Sequence, residues 1–111
     1  MKSEVIWSED AGDELFEIIT YIKKNSGKII AKNIYRKIMD KVTAVSENAE
    51  SRRISPILRE FGIMDIHQIN INPWAIYYKT DKKSIKIISI IDMRRNLEEI
   101  LYEKILNGRI I

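Results

Sequence analysis

The chain has 111 residues, of which 45% are hydrophobic and 32% are charged, a balance typical of one folded domain and not of a disordered chain. It has no cysteine and a single histidine, His67, which excludes disulfide scaffolds, thiolate metal sites and histidine-built metal sites. The formal charge of +3 is uneven, because residues 1–50 include 8 basic and 9 acidic residues whereas residues 51–111 include 11 and 7.

A basic second half favours a polyanionic partner, either nucleic acid or an acidic protein segment. Lysines placed on strand edges and turns for solubility explain the same charge equally well. No apolar run approaches the roughly 20 residues that a membrane-spanning helix needs, and the first residues lack the pattern of a secretory signal. We therefore expect a single cytoplasmic domain over residues 1–111, with no membrane contact.

The first predicted element is a short β-strand immediately before Ser8, and a helix follows it. Ser8 is a suitable N-cap, since its hydroxyl can accept a hydrogen bond from a free backbone N–H of the first turn. The spacing of Leu15, Ile18 and Ile22 places them on one face of this helix. We expect the helix to end at Gly27, which can adopt a left-handed backbone conformation.

A second amphipathic helix follows, and its apolar residues are again three and four positions apart: Ala31, Ile34, Ile38, Val42 and Val45. Two such helices joined by a short turn form an antiparallel hairpin. Neither helix can bury its apolar stripe alone, so both should pack on the rest of the chain.

Residues 47–61 have no periodicity and are expected to form a loop with little regular structure. After this loop the period changes from 3.6 to 2, which predicts two β-strands. The first strand has Ile69 and Ile71 on one face, and the second has Trp74 and Tyr78 on one face.

The last two elements are a strand and a helix. Residues 85–91 are apolar at almost every position, which predicts a central strand covered on both faces. A helix should then run from its N-cap Asn96 to Gly108. The order β-α-α-β-β-β-α predicts an α+β domain, in which a small, mainly antiparallel β-sheet is packed by an N-terminal helical hairpin and followed by a C-terminal helix.

The side chains that remain for chemistry are arginines and aromatics, because no Gly-rich loop could hold a nucleotide. We expect no cofactor and no metal. Arginine can bind phosphate through two hydrogen bonds, and tyrosine or histidine can stack on a base or move a proton. Such groups suffice for metal-free RNA cleavage, and they equally suit a protein-binding surface. The candidates are Arg52, Arg53, Arg59, His67, Trp74, Tyr77, Tyr78, Arg94, Arg95 and Tyr102.

An ordered series of motifs resembles the RelE/ParE superfamily of bacterial type II toxin–antitoxin toxins, and ParE most closely. The series covers almost the whole chain, and its order is more specific than any single motif. It consists of Ile6-Trp7-Ser8 before a helix with Ala11, Leu15, Ile18 and Tyr21-Ile22, then Arg53-x-x-Pro56-x-Leu58 before Gly62-Ile63, then Pro73-Trp74-Ala75-Ile76-x-Tyr78, and last Asp92-Met93-Arg94-Arg95-Asn96-Leu97.

The resemblance implies a toxin that a cognate antitoxin holds inactive in a hetero-oligomeric complex. ParE members poison DNA gyrase, whereas RelE members cut mRNA in the ribosomal A site. RelE-type nucleases use an arginine after the third-strand aromatic on the scissile phosphate, and here that position is Ala75. Losing such a contact typically costs about a hundredfold or more in rate. The family often has Arg-Glu where this chain has His67-Gln68, and His-x where it has Asp92-Met93. The long last helix fits ParE better than RelE.

The resemblance therefore favours a ParE-like toxin that inhibits gyrase by binding and is not an enzyme. Its target-binding residues are expected in a groove between the loop and the sheet: Arg53, Arg59, Trp74, Tyr78, Arg94 and Arg95. The antitoxin is expected to lay an amphipathic segment on the hairpin and to add a strand. Its contacts would be Leu15, Ile18, Ile22, Ile34 and Ile38.

Two alternatives stay open. One is a RelE-like, ribosome-dependent mRNA endonuclease whose reduced catalytic set would be drawn from Arg53, His67, Arg94 and Tyr102, with Arg52 beside them. The other is an interaction module that kept the fold and lost toxicity.

Overall fold

The computed structural model describes residues 4–47 and 53–110, and Arg52 lies outside them. The predicted order of strands and helices is confirmed, with one short helix added in the segment that was expected to be a loop. The elements are β1 (Glu4–Trp7), α1 (Glu9–Ser26), α2 (Lys28–Glu47), α3 (Pro56–Glu60), β2 (His67–Ile71), β3 (Trp74–Thr80), β4 (Ser84–Asp92) and α4 (Leu97–Leu106).

Local signals position three helix ends as the sequence predicted, whereas α4 ends at Leu106, two residues before the predicted Gly108. The Ser8 hydroxyl accepts the backbone N–H of Ala11 at 3.1 Å, and Gly27 ends α1 with φ +94°. Asn96 caps α4 by accepting the N–H of Glu99 at 3.2 Å. The unpredicted helix α3 begins at its own N-cap, Ser55, and has a proline in its first turn, both of which favour a helix start. Its five residues are too few to show a helical period in the sequence.

The four strands form one sheet in the order β1-β4-β3-β2. Strands β2, β3 and β4 are antiparallel neighbours, and β1 alone pairs in parallel, with β4. β4 is therefore an interior strand, as its near-continuous apolar sequence predicted. Because Ile71, Trp74 and Asp92 stand opposite one another, one end of the sheet is formed by the end of β2, the start of β3 and the end of β4.

One face of the sheet is covered by the α1–α2 hairpin. Side chains from both helices and from all four strands form the first hydrophobic core, with Ile38, Ile76 and Tyr78 at its centre and no solvent exposure. The apolar stripes that the sequence predicted on the two helices therefore face their own sheet. Burial of this area is the main stabilising contribution of the hairpin.

The opposite face is covered by α3, α4 and the segments around them. Leu58, Ala75, Tyr77 and Leu101 lie at the centre of this second core, and none of them is exposed. β3 is thus buried on both faces, whereas its sequence predicted burial of Trp74 and Tyr78 on one.

Ion pairs fix the end of α4 against the start of α1. Lys104 Nζ lies 3.2 Å from Glu14 Oε2 and 3.5 Å from Asp10 Oδ2, and Arg109 also pairs with Asp10. The Glu14 carboxylate also accepts a hydrogen bond of 2.9 Å from the Ser89 hydroxyl, which lies at the irregularity in the β3–β4 pairing. Glu14 of α1 therefore contacts both the sheet and α4. Within residues 4–47 and 53–110, no helix is both long and apolar enough to cross a membrane.

Candidate functional site

A spacious groove lies where the hairpin meets the end of the sheet, and we call it the hairpin–sheet groove. Its volume is about 650 Å³. It is bounded by the second half of α1, the first half of α2, the start of β3 and the residues after β4. The lining residues are Glu17, Ile18, Tyr21, Ile22, Ser26, Ile30, Ile34, Pro73, Trp74, Asp92, Arg94 and Arg95.

The floor of the hairpin–sheet groove is apolar. Trp74 is 9% exposed and packs with half-buried Ile18, Ile22 and Ile34 against the first core. Tyr21 stands on the rim with most of its side chain in solvent. A partner with apolar side chains could therefore bury them here without displacing any core residue.

The sheet end of the hairpin–sheet groove has a charged rim. The Arg94 guanidinium donates to Asp92, with Nε–Oδ1 at 3.0 Å and Nη2–Oδ2 at 2.6 Å. These hydrogen bonds lower the pKa of the Asp92 carboxyl, which keeps it ionised and fixes the Arg94 side chain. Arg95 is exposed and makes no ion pair with any described residue, so it is the cation that a partner can neutralise.

Of the six expected target-binding residues, the structure brings three together in the hairpin–sheet groove: Trp74, Arg94 and Arg95. Tyr78 is fully buried in the first core. Arg53 lines a separate cavity of about 370 Å³ with Lys41 and Gln68, and Arg59 is exposed on α3.

Arg53 of the expected loop borders a cavity with Gln68 of β2, whereas the space between α3 and the sheet is filled by the second core. Ala75 lies there with no exposure, beside Leu58 and Leu101. A long cationic side chain at this position would have to enter an apolar core, so the small alanine is what allows α3 and α4 to close over the sheet.

Of the four residues of the nuclease alternative, Arg53 and His67 are neighbours, and the other two lie elsewhere. The Arg53 carbonyl accepts the Gln68 N–H at 2.7 Å, and Ile54 pairs with His67. Arg53, Arg94 and Tyr102 line three different cavities. His67 stands opposite Tyr78, four residues along β3 from Trp74, which places it about 13 Å along the sheet from the Arg94 end. Tyr102 stacks on Phe61 beyond the second core, with ring centroids 5.7 Å apart. Within the described ranges, no cluster of acidic and histidine side chains could hold a metal ion.

The residues expected to bind the antitoxin divide into two groups. Ile38 is fully buried in the first core, and Leu15 is half-buried against it. Ile18, Ile22 and Ile34 are half-buried too, and each lines the hairpin–sheet groove.

Sequence reasoning missed a set of apolar residues that face solvent on the hairpin: Phe16, Tyr21, Ile29, Ile30 and Tyr35. The sequence did contain a signal for them, because these residues lie on either side of the main apolar stripe of each helix. Together with the stripe they form an apolar surface wider than a helix needs to pack on one core.

Comparison with known proteins places these features in a family. The family model described as "ParE toxin of type II toxin-antitoxin system, parDE" matches residues 5–97. A chain of the structure titled "Chromosomal ParDE TA system from P. aeruginosa" is similar in fold, with a TM-score of 0.66 and 16% sequence identity over 82% of this chain and 96% of that one. No curated protein matches the sequence.

Proposed function

Because this chain belongs to the ParE toxin family of type II toxin–antitoxin systems, we propose that it inhibits DNA gyrase by binding and that a cognate antitoxin neutralises it in a hetero-oligomeric complex. The target would place the protein in the cytoplasm. The observation that carries binding over catalysis is Ala75, which lies in a closed core where an RNA-cleaving relative would need a cation at an open surface.

The hairpin–sheet groove is the surface that best supports this function. It combines a buried tryptophan, an arginine ordered by Asp92 and an exposed arginine that forms no ion pair with a described residue, around an apolar floor. Buried aromatic residues and arginines carry most of the binding energy at protein interfaces, and their positions here are fixed by the sheet and by Asp92. Target binding therefore requires no catalytic group and no rearrangement of the core.

The antitoxin is proposed to use the same groove through Ile18, Ile22 and Ile34. An amphipathic segment laid there would bury these half-exposed side chains and place a carboxylate near Arg95. Occupation of the groove would then exclude gyrase directly, because both partners need the same few side chains.

The experiment is DNA supercoiling by purified gyrase with increasing amounts of this protein. We expect inhibition by the wild type and, for Arg95→Glu, a rise of about tenfold or more in the concentration for half inhibition. Lys82→Glu in the exposed β3–β4 turn makes the same charge change at the opposite end of the sheet, and it should inhibit within about twofold of the wild type.

Three outcomes would reject parts of the proposal. Unaffected supercoiling at high excess, together with cleavage of ribosome-bound mRNA, would replace it with the nuclease. Loss of inhibition in Arg59→Glu but not in Arg95→Glu would move the target surface to α3. Normal growth on strong induction without antitoxin would show that toxicity has been lost.

A further inference from the structure

A cavity of about 370 Å³ lies at the outer edge of β2, beside the second half of α2, and we call it the edge cavity. β2 is the last strand of the described sheet, and its side chains line the edge cavity together with those of α2 and Arg53. Among the described residues, the edge cavity shares none with the hairpin–sheet groove. Its volume is near the lower end of the range of about 300–1,000 Å³ for small-molecule sites, so it suits one small ligand.

The edge cavity is lined by a buried amide that the protein satisfies at one end only. Gln68 is 7% exposed, and its Oε1 is buried and accepts no hydrogen bond from the described residues. Its Nε2 donates to Asn70 Oδ1 at 2.8 Å. An amide oxygen buried without a donor costs stability, and such groups are rare in folded proteins. A ligand in the edge cavity can supply the missing donor once the Gln68 amide turns toward it.

Two cations line the edge cavity, with no carboxylate among the described lining residues. Neither Lys41 nor Arg53 makes an ion pair with a described residue. The Arg53 carbonyl accepts the Gln68 N–H at 2.7 Å, so these two residues stand opposite each other, and opposite residues project to the same side of a strand pair. The edge cavity therefore favours an anion, and Arg53 can bind a phosphate through two hydrogen bonds.

The rest of the lining of the edge cavity is apolar and consists of Ala44, Val45 and Ile69. The edge cavity thus combines three kinds of surface: two cations, an amide with an unpaired oxygen and an apolar wall. A nucleotide carries the three matching groups. Its phosphate monoester has a charge of about −2 at pH 7, its base has N–H donors on its edge, and the face of the base packs on apolar side chains.

We propose that the edge cavity binds a single nucleotide, with its phosphate on Arg53 and Lys41, its base against Val45 and Ile69, and an N–H of the base donating to Gln68 Oε1. Side chains hold the phosphate, which agrees with the lack of a Gly-rich loop in the sequence. A nucleic acid strand fits less well, because two cations match one phosphate monoester, whereas a strand needs a row of cations along its backbone. The proposal does not depend on the choice of gyrase as target.

The test is isothermal titration calorimetry of the full-length protein with adenosine monophosphate (AMP), whose base has an amino donor, and with ribose phosphate, which lacks the base. AMP should bind at one site per chain, and ribose phosphate should bind about tenfold or more weakly. The affinity for both should fall as salt is raised.

Two arginines provide a matched pair of variants for phosphate binding. Arg53→Gln removes the guanidinium from the edge cavity and should weaken the binding of AMP and of ribose phosphate by about tenfold or more. Arg59→Gln makes the same change on α3, outside the edge cavity, and should bind both within about twofold of the wild type.

Gln68→Met separates recognition of the base from folding. It removes the unpaired amide and keeps a side chain of similar size, so the melting temperature without ligand should stay equal or rise. The same variant should keep its affinity for ribose phosphate but bind AMP no more tightly than ribose phosphate. An amide with a purely structural role predicts the opposite, a lower melting temperature and an unchanged ratio of the two affinities.

Ala44 allows the edge cavity to be filled without a change in the core, because it is an exposed residue of α2 that lines the edge cavity. Ala44→Tyr should abolish AMP binding and leave the melting temperature nearly unchanged. Thr43→Tyr, at the exposed neighbouring position outside the edge cavity, is the control that should bind AMP normally.

Each contrary result overturns the proposal. Equal affinity for AMP, ribose phosphate and inorganic phosphate would reduce the edge cavity to an anion site without base recognition. Tighter binding of a short oligoadenylate than of AMP would assign it to a nucleic acid strand. AMP binding that persists in Ala44→Tyr, or no binding at all, would reject the site. Arg95→Glu should bind AMP normally even where gyrase inhibition is lost, which keeps this proposal separate from the toxin's target.

Discussion

The two faces of the sheet are both covered by helices, and the hairpin face borders the hairpin–sheet groove of about 650 Å³. A smaller cavity of about 410 Å³, lined by Phe61 and Tyr102, lies beside α4. On the hairpin face, α1 and α2 bury their central stripes and still expose apolar residues such as Phe16, Tyr21 and Tyr35 at their sides. On the other face, the cover is closed around Ala75 and Leu101, and ion pairs from Lys104 and Arg109 hold α4 against α1. The two faces thus bury the sheet equally but differ in how firmly their helices are held.

This difference concerns how easily a partner could reach each face of the sheet. A site beneath α4 would require Leu101 to leave the second core and the ion pairs of Lys104 to break, whereas the hairpin–sheet groove is already open. Binding of a partner in the hairpin–sheet groove would therefore need no loss of stability.

The largest effect on stability is expected when a charged side chain is placed in the second core. Ala75→Arg would place a guanidinium among apolar side chains with no partner, and we expect it to destabilise the fold by at least about 4 kcal/mol or to detach α4. Urea unfolding followed by circular dichroism measures the loss. Ala44→Arg, at an exposed position of α2, should cost less than about 0.5 kcal/mol. A stable Ala75→Arg protein would show that the second face opens readily.

The role of α4 as a structural cover is tested by two leucines of the same helix. Leu101 has no exposure, so Leu101→Ala should reduce the free energy of unfolding by about 3 kcal/mol. Leu106 is 66% exposed, and Leu106→Ala should change it by less than about 0.5 kcal/mol. Similar losses in both variants, measured by chemical denaturation, would contradict the closed second core.

The second core also contains a polar group that it does not satisfy. The Tyr77 hydroxyl is buried and has no hydrogen-bond partner in the described parts of the chain, so Tyr77→Phe should stabilise the protein by about 1 kcal/mol at pH 7. Burial also raises the pKa of Tyr77 from 10.0 to about 12.

The sign of the pH effect follows from that shift. A raised pKa in the folded state gives stability that is present below pH 10 and is lost as the pH rises through 12. The advantage of Tyr77→Phe over the wild type should therefore grow between pH 10 and 12. Thermal melts across this range check it, with exposed Tyr35→Phe as the variant that should show no growing advantage.

The smallest effect is expected at the rim of the hairpin–sheet groove. Hydrogen bonds from Arg94 lower the pKa of Asp92, so this carboxylate contributes stability that is present above the unfolded value of about 3.8 and is lost as the pH falls through the lower folded value. Asp92→Asn should thus be slightly less stable than the wild type at pH 7, and the difference should vanish in stronger acid. A pH-independent difference in urea midpoints would show that Asp92 acts by another route.

Much of the fold could be predicted from the sequence because its signals are local. Ser8, Gly27 and Asn96 end or begin helices through bonds made within a few residues. The change of period after Gly62 marked the strands, and the apolar run of β4 marked an interior position. The short helix α3 escaped prediction because five residues show no helical period.

Only part of the candidate site could be predicted, because it depends on contacts between residues that are far apart in the sequence. Trp74, Arg94 and Arg95 were expected to act together, and the pairing of Trp74 with Asp92 across two strands does place them in one groove. Arg53 and Arg59 were grouped with them by residue type, but they lie elsewhere on the surface. Chemistry can be read from residue types, whereas proximity between distant residues depends on strand register.

The sequence by itself determined the order of elements, three helix ends and the family, since each is carried by residues close together in the chain or by motifs in a fixed order. Only the tertiary structure decided which apolar surfaces are core and which stay open. Ile38 and Phe16 are both apolar residues on amphipathic helices, yet one is fully buried and the other is 71% exposed. The reason is geometric: a helix flank becomes a groove or a core according to what packs beside it, and that neighbour comes from a distant part of the chain.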